Sequence, residues 1–189
     1  MVITERVTRE TKIQVKLEIR GQGKALIDTP IGFLNHMIET FALHGNFNLE
    51  VKAQGDINVD NHHIVEDIGI VLGKAFKESL GKRENIKRFG FFLMPMDDAL
   101  VEVALDLAER CFFVFDVNLN EKQVGNLDVS VIEEFWRAFT HNAFITLHII
   151  KRKGRNAHHV IEAIFKGVGQ ALKMALKEES GIPSTKGVM

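Results

Sequence analysis

His62-His-Ile-Val-Glu66 returns as His158-His-Val-Ile-Glu162, an offset of 96 residues (158 − 62), and this recurrence decides how the whole chain is read. Holding that offset, Ile68 aligns with Ile164, Gly73 with Gly169, Ala75 with Ala171, Lys77 with Lys173 and Leu80 with Leu176. Upstream the second copy carries two more residues, so Phe41 aligns with Phe139 and Leu49 with Leu147 at an offset of 98 (139 − 41). Self-similarity at a fixed period marks a duplicated unit. Alternating apolar residues at Ile13, Val15, Leu17 and Ile19, and again at Val101, Val103, Leu105 and Leu107, predict an opening strand with one buried face in each copy. Leu34 to Leu43 and Val131 to Ala143 have helical spacing, Phe47 to Ala53 and Ile145 to Ile149 read as strands, and a helix follows each histidine pair. The expected fold class is α+β: an internal duplication of a β-β-α-β-α half-domain, giving two pseudo-symmetric halves with helices packed on the sheets. We assign residues 1–86 to the first half and 87–189 to the second, the junction lying in the charged stretch Gly81 to Gly90.

With 189 residues and 46% hydrophobic content the chain can bury a core of its own. A formal net charge of −1 argues against nucleic acid as a partner. No stretch approaches the roughly 18 apolar residues of a membrane span, and Met1-Val-Ile-Thr-Glu-Arg6 lacks the apolar centre of a secretory signal, so no membrane partner is expected. The lone Cys111 opens Cys111-Phe-Phe-Val-Phe115, which reads as a buried strand rather than a thiol site; a reducing, cytoplasmic setting fits.

Four residues separate His62 from Glu66, so on a helix they share a face, while His63 points roughly 100° away. One ion cannot easily take both rings of a pair, so each ring is expected to serve a different metal. The simplest arrangement has His62 and Glu66 sharing an ion with a ring of the second pair, and His158 and Glu162 sharing another with His63 or its equivalent. A single His-His pair is more often a polar surface feature; its duplication, with six of the eight histidines at His36, His62, His63, His148, His158 and His159, reverses that reading. Imidazole plus carboxylate without thiolate suits an open Mn, Fe, Co or Zn site better than a closed structural zinc. Arg88, Arg110, Lys166 and the tail Pro183-Ser-Thr-Lys-Gly187 suit a phosphorylated small-molecule substrate.

At these residues the chain resembles the imidazoleglycerol-phosphate dehydratase family of histidine biosynthesis. The matching segments span nearly the whole sequence: Arg9-Glu-Thr-Lys12, Gly32-Phe-Leu-Asn-His-Met37, Val59-Asp-Asn-His-His-Ile-Val-Glu-Asp67, Arg88-Phe-Gly90, Pro95-Met-Asp97, Thr146-Leu-His148, Gly154-Arg-Asn-Ala-His-His-Val-Ile-Glu-Ala163, Phe165-Lys166 and Ser184-Thr-Lys-Gly187. The resemblance implies dehydration of imidazole glycerol phosphate to imidazole acetol phosphate, two Mn2+ ions per subunit, and a homo-oligomer of 24 subunits with active sites between them. Residue by residue it implies that His36, His62, His63, Glu66, His158, His159 and Glu162 ligate metal and that Glu10 is the acid/base. It assigns phosphate contacts to Arg88, Arg110, Lys166, Ser184, Thr185 and Lys186, and a place at the substrate edge to His44. His148 then reads as a strand residue near the site, not a ligand.

Three positions depart from the family pattern. Glu134, the repeat partner of His36, stands where the family commonly has a histidine, and is expected to ligate as a carboxylate. Asn35 replaces a common aspartate, and Arg110 lies in Ala108-Glu-Arg-Cys111 rather than Ser-Gly-Arg-Pro. The implied chemistry holds the imidazole as imidazolate, expels the adjacent hydroxyl and lets Glu10 take the neighbouring proton. A phosphate-releasing metallohydrolase and a metal-storage protein are the rival classes; the separated arginine and lysine set would have no purpose in the latter.

Overall fold

The computed structural model describes residues 1–181. The first half runs β1 (Val2–Val7), β2 (Thr11–Glu18), β3 (Ala25–Asp28), α1 (Gly32–Gly45), β4 (Asn48–Gly55) and α2 (His62–Leu80). The second runs β5 (Phe89–Met96), β6 (Ala99–Asp106), β7 (Phe112–Asp116), a two-stranded excursion of β8 (Gln123–Val124) and β9 (Leu127–Asp128), then α3 (Val131–Ala143), β10 (Thr146–Lys153) and α4 (Ala157–Ala175). Two four-stranded sheets result, ordered β1-β2-β4-β3 and β5-β6-β10-β7, the same topology twice. The α+β duplication is therefore present, with one strand more per half than β-β-α-β-α. β3 and β7 pair parallel to β4 and β10. They escape a periodicity reading because β3 has four residues with only Ile27 buried, and β7 lies at a sheet edge with no fully buried residue. Phe112 to Phe115 is thus a strand, but not the buried one expected; Cys111 beside it is half-buried.

Why the sheets form follows from the alternation. Ile13, Val15 and Leu17 of β2 and Val101, Val103 and Leu105 of β6 are buried almost completely against helices, each contributing roughly 1.5–3 kcal/mol of apolar burial. α2 covers the first sheet and α4 the second, while α1 packs on α4 and α2 on α3, so the helices fill the space between the sheets. These crossings explain two repeated glycines. A Cβ on Gly73 would stand 2.5 Å from the Phe139 carbonyl oxygen, and one on Gly169 2.8 Å from that of Phe41, so the aligned pairs Gly73/Gly169 and Phe41/Phe139 are reciprocal helix contacts.

Residues 81–88 join the halves, and Arg83 pins this segment into the second. Its side chain is 1% exposed and donates to the carbonyls of Leu107 (2.6 Å), Ala143 (2.7 Å) and Phe144 (2.8 Å). Two of these lie at the C-terminal end of α3, where orphaned carbonyls favour a cation.

The two outer sheet faces have diverged. On the first, Lys12, Gln14, Lys16, Glu50, Lys52 and Gln54 face outward; on the second, Phe89, Phe91, Leu93, Ala104, Phe112 and Ile150 do, following the strand registers. Phe89, Phe91, Leu93 and Phe112 are each at least half exposed.

Candidate active and metal-binding site

Both histidine pairs start a helix: His62 and His63 open α2, and His158 and His159 follow Ala157 at the start of α4. Asp60 accepts the His62 amide at 2.7 Å, and the Asn156 side chain accepts that of His159, so orphaned helix amides are satisfied just where the rings project.

The second-half pair builds the tighter cluster. α1 crosses α4 so that His36, His158 and Glu162 bring one ligand atom each within 4.8 Å of one another. His158 Nε2 stands 3.2 Å and His36 Nε2 3.8 Å from Glu162 Oε2, and Phe33 packs its ring 5.0 Å from that of His158. The Glu162 side chain is 8% exposed, and Lys166 Nζ, one helical turn on, lies 2.6 Å from its other oxygen. Burial pushes the Glu162 carboxyl upward, but the Lys166 ion pair, with His36 and His158, outweighs it and leaves the group lowered. Glu162 is therefore a carboxylate at neutral pH. Two imidazoles and a carboxylate, two of them on one helix face, are a donor set that suits a transition metal with open positions.

The expected sharing between the two pairs does not occur within one chain: His158 and Glu162 meet His36, not His63. The crossing of α1 with α4 decides this, since it lays the N-terminal half of α1, with Phe33 and His36, beside the first turns of α4, while Phe41 and Gly45 meet Gly169 further on. His62 Nε2 and Glu66 Oε2 are 3.6 Å apart, as helix spacing requires. Glu134 lies on α3 with its carboxylate 3.4 Å from Arg137 Nε, and joins no three-ligand cluster among the described residues.

His63 belongs to a separate group with Glu10 and Asp56. Its Nδ1 is 3.1 Å from Asp56 and 3.9 Å from Glu10. The hydrogen bond to Asp56 raises the His63 pKa. Glu10 sits in the β1–β2 turn, which Asp67 ties to α2: Asp67 accepts Arg6 Nε at 2.7 Å and the Thr11 hydroxyl. In the second half His159 Nδ1 contacts Asp98 at 2.7 Å and its Nε2 lies 3.4 Å from Asp97. Asp98 also accepts the amides of Arg155 and Asn156, and these contacts, the Arg155 amide first, hold its carboxyl down to about 2.

Arg88 and Arg110 converge on a residue the sequence reading missed. Arg88 holds Asp106 with Nε (2.7 Å) and Nη2 (2.9 Å), and Arg110 Nη2 reaches the same carboxylate at 3.2 Å. Burial works against the Asp106 charge, yet the Arg88 hydrogen bond and the Ala108 amide prevail, and the carboxyl falls below its ordinary 3.8. A folded value below the unfolded one stabilises the fold fully above about pH 3.8, and that contribution is lost as pH falls further. The thermal midpoint measured from about pH 5 to about pH 2 should therefore fall less steeply in Asp106→Asn than in the parent; equal slopes would remove Asp106 from the acid response.

Lys166 is not with these arginines but beside Glu162. His44, at the end of α1, contacts Gln170 at 3.4 Å, and burial, with Lys166 next, lowers its pKa. Gln170 is eight residues past Glu162, about 12 Å along the helix, so His44 stands off the cluster. His148 points outward from β10, between Ala104 and Val114, on the sheet face away from the helices. Ser184, Thr185 and Lys186 lie outside the described residues. Asp56, Asp98 and Asp106 were missed because no spacing or repeat marks them, and Asp67, though within a matching segment, receives no role from the resemblance.

Fold and site together define a duplicated α+β protein with histidine and carboxylate groups that could hold a metal at matched helix N-termini. A sequence profile of the family described as imidazoleglycerol-phosphate dehydratase matches residues 29–172. The chain is similar to the imidazoleglycerol-phosphate dehydratases of Desulfitobacterium hafniense, 52% identical over 98% of this chain and 96% of that one, and Acetivibrio thermocellus, 49% identical over 97% and 96%. Its structure is similar to that of the Staphylococcus aureus enzyme, with a TM-score of 0.83 at 37% identity over 94% of this chain and 100% of the other. The Pyrococcus furiosus enzyme, solved in complex with (S)-C348, gives 0.85 at 39% identity over 98% and 99%. The chain belongs to the imidazoleglycerol-phosphate dehydratase family, carbon–oxygen hydro-lyases of histidine biosynthesis. No helix among the described residues is long and apolar enough to cross a membrane.

Proposed function

We propose that this dehydratase converts imidazole glycerol phosphate to imidazole acetol phosphate with two Mn2+ ions per subunit, held by His36, His62, His63, Glu66, Glu134, His158, His159 and Glu162. The observation that carries the reading is the convergence of His36, His158 and Glu162 from two helices around one ligand position. Bound Mn2+ would supply Lewis acidity, holding the substrate ring as imidazolate. Glu10, more than half exposed and beside His63, takes the proton from the carbon next to the departing hydroxyl; water is lost and the resulting enol becomes the ketone. Arg88, Arg110, Lys166, Ser184, Thr185 and Lys186 hold the phosphate, and His44 borders the substrate.

The separation of these groups within one chain supports a homo-oligomer, which we take to contain 24 subunits. The Arg88 amide bonds the Ala175 carbonyl, thirteen residues along α4 from Glu162, or about 20 Å. That exceeds the span of a three-carbon phosphate bearing one imidazole, which favours arginines and metal ligands from different copies acting on one molecule. The apolar outer face of the second sheet is suited to covering by such a copy.

Purified protein incubated with Mn2+ and imidazole glycerol phosphate should form the acetol phosphate; release of inorganic phosphate instead would favour the hydrolase reading. Chelation should abolish turnover and also shift the oligomer to smaller species on sizing chromatography, because ligands drawn from distant segments couple metal to assembly. An unchanged elution position would detach the metals from the interface.

A further inference from the structure

The two hairpins that precede the histidine helices are duplicates whose carboxylates now do different things. β2 and β6 correspond at an offset of 88: each is eight residues long, with Ile13, Val15 and Leu17 buried in the same positions as Val101, Val103 and Leu105. Glu10 is therefore the counterpart of Asp98, each the residue just before its strand. Asp98 is fully engaged: one oxygen takes His159 Nδ1 at 2.7 Å, the other the amides of Arg155 (2.7 Å) and Asn156 (3.3 Å). The carboxylate of Glu10 makes no hydrogen bond among the described residues and stays 3.9 Å from His63 Nδ1. What holds His63 is Asp56, just past β4, at 3.1 Å.

The counterpart of Asp56, at the offset of 98 that aligns β4 with β10, is Gly154. No aspartate could stand there. Its φ is +126°, and a Cβ would meet Val160 Cγ2 at 2.7 Å and Ala99 Cα at 3.0 Å. Among the described residues, the His159 ring is thus held from the hairpin and the His63 ring from the loop.

We propose that Asp98 and Asp56 are positioning residues that hold Nδ1 of His159 and His63, presenting Nε2 of each ring as the ligand nitrogen, and that the Asp56 support is what leaves Glu10 available for proton transfer. An ionised carboxylate only accepts, so the hydrogen-bonded Nδ1 carries the hydrogen and the neutral ring offers its lone pair at Nε2; Asp97 lies 3.4 Å from His159 Nε2 with no hydrogen bond to it, on the side where an ion would sit. Carboxylate partners of this kind fix a ligand's tautomer and orientation, and losing one typically costs 10–100-fold in metal affinity. The inference rests on the reading of His63 and His159 as ligands.

The test uses Mn2+ alone, titrated into the assembled protein against a fluorescent chelator. Asp98→Asn should bind one class of ion about 10–100-fold more weakly, and 15N spectra of ring-labelled histidine in the metal-free protein should show the His159 tautomer shifting from Nδ1–H toward Nε2–H. Asp56→Asn should cost less, because Glu10 is near enough to replace it. Combining it with Glu10→Gln should then cost far more than the two single changes together, while Glu10→Gln alone leaves Mn2+ affinity unchanged. Unchanged affinity in Asp98→Asn, with weakened binding in His159→Ala, would overturn the positioning role and keep the ligand reading. Unchanged affinity in His159→Ala would overturn both. Should Asp98→Asn fail to assemble, the Asp56 and Glu10 variants decide alone, and additive effects there overturn the proposal.

Discussion

Glu10→Gln is expected to lower turnover by about 10²–10⁴-fold, the usual contribution of a positioned general acid or base, while leaving Mn2+ content and oligomer size unchanged. The size of the effect follows from the substitution being isosteric: the amide keeps the shape but cannot accept a proton at neutral pH. Its selectivity follows from how the turn is built. Thr11 and Arg6 fasten the hairpin to Asp67 of α2, and Thr8 accepts the amides of Glu10 and Thr11, so the backbone at Glu10 is held without help from its own carboxylate. Steady-state kinetics with imidazole glycerol phosphate, beside metal analysis and sizing chromatography, check this. Turnover near that of the parent would take Glu10 out of the mechanism; parallel loss of metal would make it a ligand or a structural residue instead.

How far the site could be read in advance depended on whether each residue sat in a periodic or repeated context. His62, Glu66, His158 and Glu162 were legible because a four-residue spacing on a helix places both groups on one face, and because the motif occurs twice. The pairing of His36 with Glu162 was not, since it depends on α1 crossing α4, and crossings are set by close contacts such as Gly169 on the Phe41 carbonyl. The opening strands were legible from strict alternation. β3 and β7 were not, because edge strands with one or no buried residue have little alternation to show. Asp106 illustrates the remaining gap. Its importance comes from Arg88 and Arg110 meeting on it, a convergence produced by tertiary structure; among the described residues its repeat counterpart at the offset of 88, Glu18, accepts only the Asn48 side-chain amide.

Glu134→Ala is expected to remove one of the two metals, or to weaken it by more than the roughly 10–100-fold lost with an outer partner, whereas Glu134→His should retain both. The helix packing is the reason to expect a ligand at this position. Gly69 faces the Phe135 carbonyl and Gly73 that of Phe139, just as Gly169 faces that of Phe41; the turn bearing Glu134 therefore lies beside the turn bearing Glu66, as that of His36 lies beside Glu162. In the second-half cluster this register brings an imidazole to a carboxylate. In the first half the same register sets a carboxylate-bearing turn of α3 beside the turn of Glu66. Glu134 lies 3.4 Å from Arg137, an exposed ion pair of the kind worth about 0–1 kcal/mol, so this contact would offer little resistance to ligation of a divalent ion. A carboxylate is also a harder ligand than imidazole, which should favour Mn2+ over softer ions at this site relative to the histidine variant. Since only the surface pair is lost without metal, the metal-free Glu134→Ala protein should unfold within about 1 kcal/mol of the parent, while the difference with Mn2+ present should grow with ion concentration. Metal analysis of the alanine variant decides it: two tightly held ions per chain would mean that Glu134 serves only Arg137 and that the pseudo-symmetry of the ligand sets stops at this position.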